Sequence, residues 1–413
     1  MTIGDAPAWR RDYHSDFDLE DPEFNDHYEE IVSELARSCP IAHGSGYGGY
    51  VVVNDYESVR QWSHDTEALS SETGGVLLDP VEDRNRLVPT EWDPPRLLEI
   101  RKVINPYFAP RYIQRHEHNA RQTCRDLINK FIERGHCDMV EELAAPLPGL
   151  IFFREVFGMP DDDIPALKKL ANDSVFGPRE GRAAAHHELA ARMGSYLEAR
   201  RASGPRGDVV DAIMTAEIDG QPMSEQDRLS CVMTLALAGL NTTTYVLGRS
   251  LQHFAEHPED VLQALENDAA LDLVVEELLR LYTPVFVVVR RATRDLEIHG
   301  AEVKAGQMVL LGSGVACRDP ERVPDPDAFH PEASMQGTPA FGFGPHRCVG
   351  SHLARFEVKL ALQEVLGALK DLRLAGTPAY TTGILRDITA LPMSFAAAPC
   401  LPPVRVAGTS PTP

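Results

Sequence analysis

The chain has 413 residues, 43% of them hydrophobic, which is enough to bury a large core. Its 62 acidic and 40 basic residues give a formal net charge of −22, which excludes nucleic acid as a general partner because phosphate binding needs a basic surface. Its seven cysteines are an odd number without a CxxC pair, which argues against a disulfide framework or a structural zinc site.

The chain begins with a polar, acidic stretch, and residues 1–25 are expected to form a loosely ordered N-terminal arm. This stretch lacks the apolar core of a signal peptide, and no apolar run reaches the roughly 18 residues of a membrane span. We therefore expect a cytoplasmic protein without a membrane partner. The next stretch, 48–62, has the pattern of a strand pair followed by a helix.

Helical spacing of apolar residues dominates from about 97 to 285, and one helix in this part is unusually long. Its sequence is SEQDRLSCVMTLALAGLNTTTYVLGRSLQHFAEHP, in which Ser224 and Asp227 resemble a capping box and Pro258 ends the helix. Because its middle is apolar nearly all round, this helix is expected to run through the core.

The pattern changes after residue 285, where short alternating runs predict strands and hairpins. A proline-rich segment and the loop FGFGPHRCVG (341–350) follow, and a helix comes after that loop. The fold class predicted is mainly α with a small β region (α+β). One domain is expected over 26–400, and a C-terminal tail over 401–413.

The glycine-rich loop surrounds a single sulfur, that of Cys348. Gly344 and Gly350 permit backbone angles and close approach that side chains would block. Cys348 directly precedes a helix, whose N-terminal N–H groups favour a thiolate. One thiolate suits an axial ligand of a heme iron, although a buried free cysteine beside a glycine turn is the simpler alternative for a cysteine taken alone.

The spacing FxxGxxxCxG resembles the heme-binding loop of cytochrome P-450 monooxygenases, and the resemblance extends from about residue 45 to 395. It is closest to the soluble bacterial type. The resemblance implies heme b as cofactor, with Cys348 as the metal ligand and Phe341 packed beside the sulfur. It also implies that Gly350 lies at the cofactor and that His346 binds a heme propionate.

Other motifs support the resemblance. EELLR matches the family's ExxR lock, formed by Glu277 and Arg280, and Arg290 and Arg101 match its propionate ligands. Two positions depart from the family pattern: Leu97 stands where a histidine is usual, and Ala333 where an arginine is usual.

The long helix carries AGLNTT (238–243), which resembles the family's oxygen-activation motif. The resemblance implies that Ala238 and Gly239 lie over the heme and leave space for O2, and that the Thr242 hydroxyl assists proton delivery. The usual acid is Asn241 in this chain, and an amide does not titrate, so the usual proton route is altered.

Matching positions predict a largely apolar substrate pocket and a small substrate, a terpenoid or an aromatic. Its predicted lining residues are Leu235, Val285, Phe286, Val288, Ile388 and Thr389. The chain contains neither a fused reductase nor a four-cysteine iron–sulfur pattern, so electrons are expected from a ferredoxin and an NAD(P)H-dependent reductase. A basic patch for that partner is predicted at Arg101, Lys102, Arg347, Arg355 and Lys359.

The predicted function is that of a monomeric monooxygenase that hydroxylates or O-demethylates its substrate with O2. Two alternatives stay open on the sequence alone. Asn241 is compatible with a heme-thiolate ligand-binding or sensor protein with little turnover. A peroxide-using enzyme is the other alternative, and Thr242 argues against it.

Overall fold

The structure, a computed structural model, describes residues 9–72, 78, 86–176, 179–333, 337–381 and 383–398. The predicted tail over 401–413 lies outside these residues. The helices are α1 (Pro22–Asp26), α2 (Tyr28–Ser38), α3 (Tyr56–His64), α4 (Arg96–Ile104), α5 (Pro110–Ile113), α6 (Glu117–Asn129), α7 (Pro146–Leu150), α8 (Ile164–Phe176), α9 (Arg179–Ser203), α10 (Val209–Met214), α11 (Glu225–Ala238), α12 (Asn241–Glu256), α13 (Asp260–Ala264), α14 (Asp268–Leu281), α15 (Ser313–Ala316) and α16 (Ser351–Ala368).

The strands are short and lie mostly toward the two ends of the chain. They are β1 (Ile41–Gly44), β2 (Tyr50–Val53), β3 (Leu69–Ser70), β4 (His136–Asp138), β5 (Glu217–Ile218), β6 (Gln221–Pro222), β7 (Val288–Ala292), β8 (Leu296–Ile298), β9 (Ala301–Val303), β10 (Met308–Leu311), β11 (Leu369–Leu374), β12 (Ala379–Thr381), β13 (Asp387–Ala390) and β14 (Pro392–Ala397). The predicted mainly α fold with a small β region is confirmed. The stretch 48–62 holds one strand, β2, and then α3, because its pairing strand β1 lies upstream.

The largest sheet has five strands in the order β1-β2-β10-β7-β3. Only β2 and β10 pair in parallel in this sheet, and β10 pairs antiparallel with β7 so that Val309 faces Arg290. A second sheet, β11-β14-β4, joins two strands that follow α16 in the chain to β4, which lies far upstream, and the hairpin β12-β13 also follows α16. The register of β7 therefore places Arg290 on a central strand of the main sheet.

The long helix is interrupted, which differs from the single rod that we expected. Ser224 accepts from the Asp227 N–H and begins α11 as predicted, and α12 ends at Glu256, two residues before Pro258. Between them, Gly239 and Leu240 leave the helical pattern, and Leu240 has ψ −72°. The glycine lowers helix propensity at this point, and the break separates Ala238 from Asn241.

By length and composition alone, the segment Glu225–Glu256 could cross a membrane. Its most apolar 18-residue window is, however, 78% buried inside the protein. Such burial is typical of a core helix, in agreement with the prediction that this helix runs through the core.

The N-terminal arm is more ordered than we expected over its described part, residues 9–25. Tyr13, Phe17 and Phe24 are almost completely buried and belong to one apolar cluster with Phe286. The Phe17 ring stacks on the Phe286 ring at 5.9 Å between centroids, and Phe24 meets it edge-on at 5.2 Å. The polar composition of the arm conceals these widely spaced aromatic residues, each of which buries a large apolar surface.

Candidate active site

The loop before α16 holds Cys348 by its backbone. The Cys348 N–H donates to the Phe341 carbonyl at 2.9 Å. Gly344 has φ +66°, and a Cβ there would lie 2.4 Å from the Ser63 carbonyl oxygen, so only glycine fits. Gly350 differs from our expectation, because its φ of −79° suits any residue and a Cβ would sit 3.8 Å from the Cys348 sulfur.

Cys348 is the accessible one among the six cysteines that the structure describes, and the other five are buried. Burial nevertheless raises the pKa of its thiol, while the Gly350 N–H and the guanidinium groups of Arg101 and Arg347 act in the opposite direction. A side chain that is surrounded by protein atoms but still accessible faces an internal space. Cys348 is therefore available to a ligand from that space.

A buried arginine lies close to this loop. Arg290 on β7 is 4% exposed, and burial lowers the pKa of its guanidinium to about 10. It donates to the carbonyl of its neighbour Val289 at 2.7 Å, and no described carboxylate forms an ion pair with it. Asp93 acts on it only at longer range. A buried cation without a paired anion is costly, so this position calls for a bound anion.

Two further nitrogen-bearing side chains are close to Arg290. The His346 Nε2 lies 3.2 Å from the Ser71 hydroxyl and 3.8 Å from an Asp93 oxygen. Burial lowers the pKa of His346, and the charges of Arg290 and Arg101 lower it further against the opposing effect of Asp93. Burial also lowers the pKa of Arg101. Both arginines act on His346, and Asp93 acts on His346 and Arg290 but not on Arg101, so the cluster suits the binding of an added anionic group.

Behind the loop, Glu277 and Arg280 form a completely buried ion pair, with Arg280 Nη2 2.7 Å from a Glu277 oxygen. Arg280 also donates to the carbonyls of Cys317, Pro326 and Ala328. The His330 backbone N–H, rather than its side chain, donates to Glu277 at 2.9 Å. The pair thus anchors the irregular segment that leads to the cysteine loop, although Ala333 replaces the usual arginine.

The interrupted helix forms a second wall of the site. Ala238 is exposed although residues 231–236 before it are buried, so it too faces an internal space. Thr242 is half-buried, and its hydroxyl donates to the Ala238 carbonyl at 3.0 Å. A Cβ on Gly239 would lie 3.0 Å from the Phe152 ring, so this glycine accommodates a side chain of the core. Our expectation that it leaves space for O2 therefore lacks support from its surroundings.

Asn241 is 8% exposed, and its Nδ2 donates to Asp387 Oδ2 at 3.0 Å. Its neighbour Thr243 hydrogen-bonds Glu357 of α16, whose pKa burial raises well above the usual range. The sequence motifs predict neither acid, because Asp387 lies 146 residues and Glu357 114 residues from these partners in the chain. A buried Thr234 hydroxyl, one turn before Ala238, has no hydrogen-bond partner among the described residues and was also missed.

The predicted pocket residues divide into two groups. Leu235 is buried on α11, Val285 and Val288 are half-buried, and Thr389 is exposed. Phe286 and Ile388 depart from the predicted role. Phe286 is fully buried among the aromatic rings of the N-terminal arm, and Ile388 packs against Gly248, where a Cβ would lie 2.7 Å from its methyl group. Both are assigned to the core, because successive residues of an extended segment point to opposite sides.

The predicted basic patch is smaller than we expected. Arg355 pairs with Glu276 and stacks over Phe341 at 4.4 Å, and Lys359 lies 2.6 Å from Asp272. Lys102 and Arg347 are exposed. The acidic face of α14 therefore neutralises two of the five predicted cations, and it could not be identified from the local sequence of α16.

Two surface hollows, of about 160 and 480 Å³, lie away from these residues. The first lies between α14 and α16 and the second beside β4 and β14, and neither is lined by a predicted site residue. The chemistry points instead to the internal space that Cys348 and Ala238 face. An accessible thiol and a cluster of cations short of anions fit a heme, which offers an iron to the sulfur and two propionates to the cations.

Comparisons with known proteins match the chain to one family. The family model described as Cytochrome P-450 matches residues 180–370. Steroid C26-monooxygenase of Mycolicibacterium smegmatis is 30% identical over 335 residues, which cover 79% of this chain and 82% of that protein. The polyketide biosynthesis cytochrome P-450 PksS of Bacillus subtilis is 29% identical over 311 residues, 73% of this chain and 76% of the relative.

Solved structures match over nearly the whole chain. The structure of cytochrome P-450 CYP109Q5 from Chondromyces apiculatus superposes with a TM-score of 0.83 at 27% identity, covering 93% of this chain and 99% of that one. The predicted architecture, which placed most of the chain in one family fold, is therefore matched by a solved relative.

Proposed function

Because this chain belongs to the cytochrome P-450 family, whose members are monooxygenases that bind heme b through a cysteine thiolate, we propose that it oxidises a small, largely apolar molecule, a terpenoid or an aromatic. The observation that carries the proposal is an accessible cysteine, Cys348, close to a buried arginine, Arg290, that forms no ion pair with a described carboxylate. Cys348 is the proposed iron ligand, and Arg101, Arg290 and His346 are the proposed propionate ligands. When bound, a thiolate-ligated heme supplies electron transfer and O2 activation.

The chain's own residues supply position and protons. Glu277 and Arg280 hold the segment before the cysteine loop, and the Phe341 carbonyl accepts from the Cys348 N–H within that loop. The Thr242 hydroxyl, now bonded to the Ala238 carbonyl, is the proposed donor beside the oxygen site, and its proton must be replaced from another group. Exposed Ala238 leaves room there for a substrate or O2.

Apolar side chains favour an apolar substrate. Leu235, Ala238, Val285 and Val288 offer hydrocarbon surface, with Thr389 and the unpartnered Thr234 hydroxyl as polar contacts. Two relatives are named for a steroid and for polyketide biosynthesis. Hydroxylation and O-demethylation are both within the proposed activity.

Electrons are proposed to come from a ferredoxin and an NAD(P)H-dependent reductase, with exposed Lys102 and Arg347 as the contact for the acidic ferredoxin. We also propose that the protein works as a cytoplasmic monomer, with one heme domain over 26–400. Gel filtration and the salt dependence of turnover test these two points.

The first test is the absorption spectrum of the dithionite-reduced protein under carbon monoxide. A strongly red-shifted Soret band is expected, and an unshifted band would overturn Cys348 as the ligand.

Terpenoids, aromatics and a steroid are then added to the ferric protein, and a spin shift reports binding. A shift with the steroid alone would overturn the proposed substrate class. Formaldehyde release would identify O-demethylation.

The hydrogen bond from Asn241 to Asp387 weakens the ligand-binding or sensor alternative. That alternative depended on Asn241 lacking a titratable group, and Asn241 is bonded to the carboxyl of Asp387. Product formation with a surrogate ferredoxin and reductase is expected. Substrate binding without any product would restore the alternative.

A further inference from the structure

An acid from a distant strand contacts the position where the oxygen-activation helix lacks one. Asp387, the first residue of β13, accepts a hydrogen bond from Asn241 Nδ2 at 3.0 Å. Its other oxygen accepts from the Ile388 N–H at 2.9 Å. An amide that donates to a carboxylate has its orientation fixed, because only its nitrogen can donate. Asn241 therefore directs its own carbonyl oxygen away from Asp387.

The surroundings of this carboxyl suit a group that holds and releases a proton. Asp387 is half-buried, and burial raises its pKa to about 6, against the opposing effects of the Ile388 N–H, Asn241 and Lys168. Lys168 of α8 is also half-buried, and burial lowers the pKa of its ammonium to about 8. The pKa values of Asp387 and Lys168 thus lie on either side of neutral pH. A group transfers protons most efficiently when its pKa lies near the working pH.

Other charged groups on the elements that pack against β13 are committed elsewhere. Glu142 beside α7 pairs with Arg134, and Arg249 of α12 pairs with Glu29 and donates to Tyr380 of β12. Asp138 accepts from the Leu391 N–H. Glu141 is exposed, and Arg386 lies over Tyr28. Among the described residues, Lys168 is the charged side chain that acts on Asp387.

We propose that Asp387 replaces the acid missing at position 241, and that it positions the Asn241 amide and supplies protons to the Thr242 side of the site. Asp387 gives its proton through solvent in the site and becomes a carboxylate, which the Asn241 and Ile388 N–H groups stabilise. Solvent then returns a proton to Asp387, while the Lys168 ammonium, which donates to the Ala145 carbonyl, acts on that carboxylate as a nearby positive charge. The inference rests on the proposed function, because the protons are consumed there in oxygen chemistry.

The test uses the full-length heme protein and the variants Asp387→Asn and Asn241→Asp/Asp387→Asn. Turnover is measured with a surrogate ferredoxin and reductase. The ratio of hydrogen peroxide released to NADPH oxidised reports the fraction of reduced O2 that is lost as peroxide and not incorporated into product. Asp387→Asn is expected to lower product per NADPH about tenfold and to raise peroxide. The double variant returns an acid to the helix and is expected to recover most of that loss. Asp371→Asn, at an exposed position of β11, is the matched control and is expected to behave as wild type.

A second readout does not depend on turnover. Infrared spectra of protein labelled with ¹³C-aspartate are expected to show one carboxyl that titrates near pH 6 and disappears in Asp387→Asn. Asn241→Ala is expected to shift that titration upward, because it removes a hydrogen bond to the carboxylate. It serves as the second variant if Asp387→Asn does not fold.

The outcomes separate the two proposals. A wild-type protein that lacks the red-shifted carbon monoxide band, or that oxidises no compound, overturns the proposed function and the relay together. Normal wild-type turnover with an unchanged peroxide fraction and pH profile in Asp387→Asn overturns the relay alone. The absence of a carboxyl that titrates near neutral pH also overturns it.

Discussion

The two walls of the site differ in how their residues are assembled. On the cysteine side, two of the essential contacts join near neighbours in the chain, Cys348 with Phe341 and Arg280 with Glu277. On the helix side, Asn241 relies on Asp387, which lies on another element 146 residues away. A motif can report the first kind of contact and cannot report the second. A family motif that lacks a residue can therefore be completed by a distant partner.

The largest effect is expected on the cysteine side. Cys348→Ser should abolish the red-shifted carbon monoxide band and product formation, because a hydroxyl does not provide the thiolate. The measurement is the reduced difference spectrum, with turnover in parallel. Cys39→Ser is the control, since that thiol merely donates to the Ile41 carbonyl at 2.9 Å. A normal band in Cys348→Ser would show that another group holds the iron.

The next effect tests how firmly the same side is held. Glu277→Gln should lower the free energy of unfolding by about 3–5 kcal/mol, because it leaves the Arg280 charge buried and unpaired. Denaturant unfolding measures the change. Glu57→Gln breaks the exposed pair with Arg60 and should cost less than about 1 kcal/mol. Equal losses in the two variants would mean that the buried pair is no special anchor.

On the helix side, the expected effect depends on pH. The pKa of Asp387 is raised to about 6, so the folded protein binds this proton more tightly than the unfolded chain. The stabilising contribution of Asp387 should therefore fall as pH rises from about 4 to 6, and Asp387→Asn lacks that contribution. The free energy of unfolding of wild type should fall relative to that of Asp387→Asn by up to about 3 kcal/mol over that range. A pH-independent difference would contradict the raised pKa.

The smallest effect concerns the redox partner. Lys102→Gln should raise the apparent KM for ferredoxin about threefold at low ionic strength, and the effect should fade with added salt. Lys359→Gln is the matched control, because Asp272 already neutralises that cation at 2.6 Å. Identical responses of the two variants would contradict the reduced basic patch.

Errors in the predicted site have the same origin as the distant contacts. Phe286 and Ile388 are suitable pocket residues by position and type, yet one packs on Phe17 and Phe24 and the other on Gly248. The sequence of α16 predicts that Arg355 is a free cation, whereas Glu276 of α14 forms an ion pair with it. In each of these errors, the side chain contacts a residue of another element. Such contacts depend on how the elements pack against one another.

The sequence by itself determined the family, the mainly α fold, the position of the thiolate loop and the Glu277–Arg280 pair. These features depend on backbone angles, short spacings and helix periodicity, which are local properties of the chain. Only the tertiary structure decided that Gly239 and Leu240 interrupt the long helix and that Asp387 meets Asn241. It also decided that Arg290 is buried without an ion-paired carboxylate in the part of the chain that the structure describes. Those features depend on which distant elements pack together, and desolvation and pairing at such contacts set the charge states of the site.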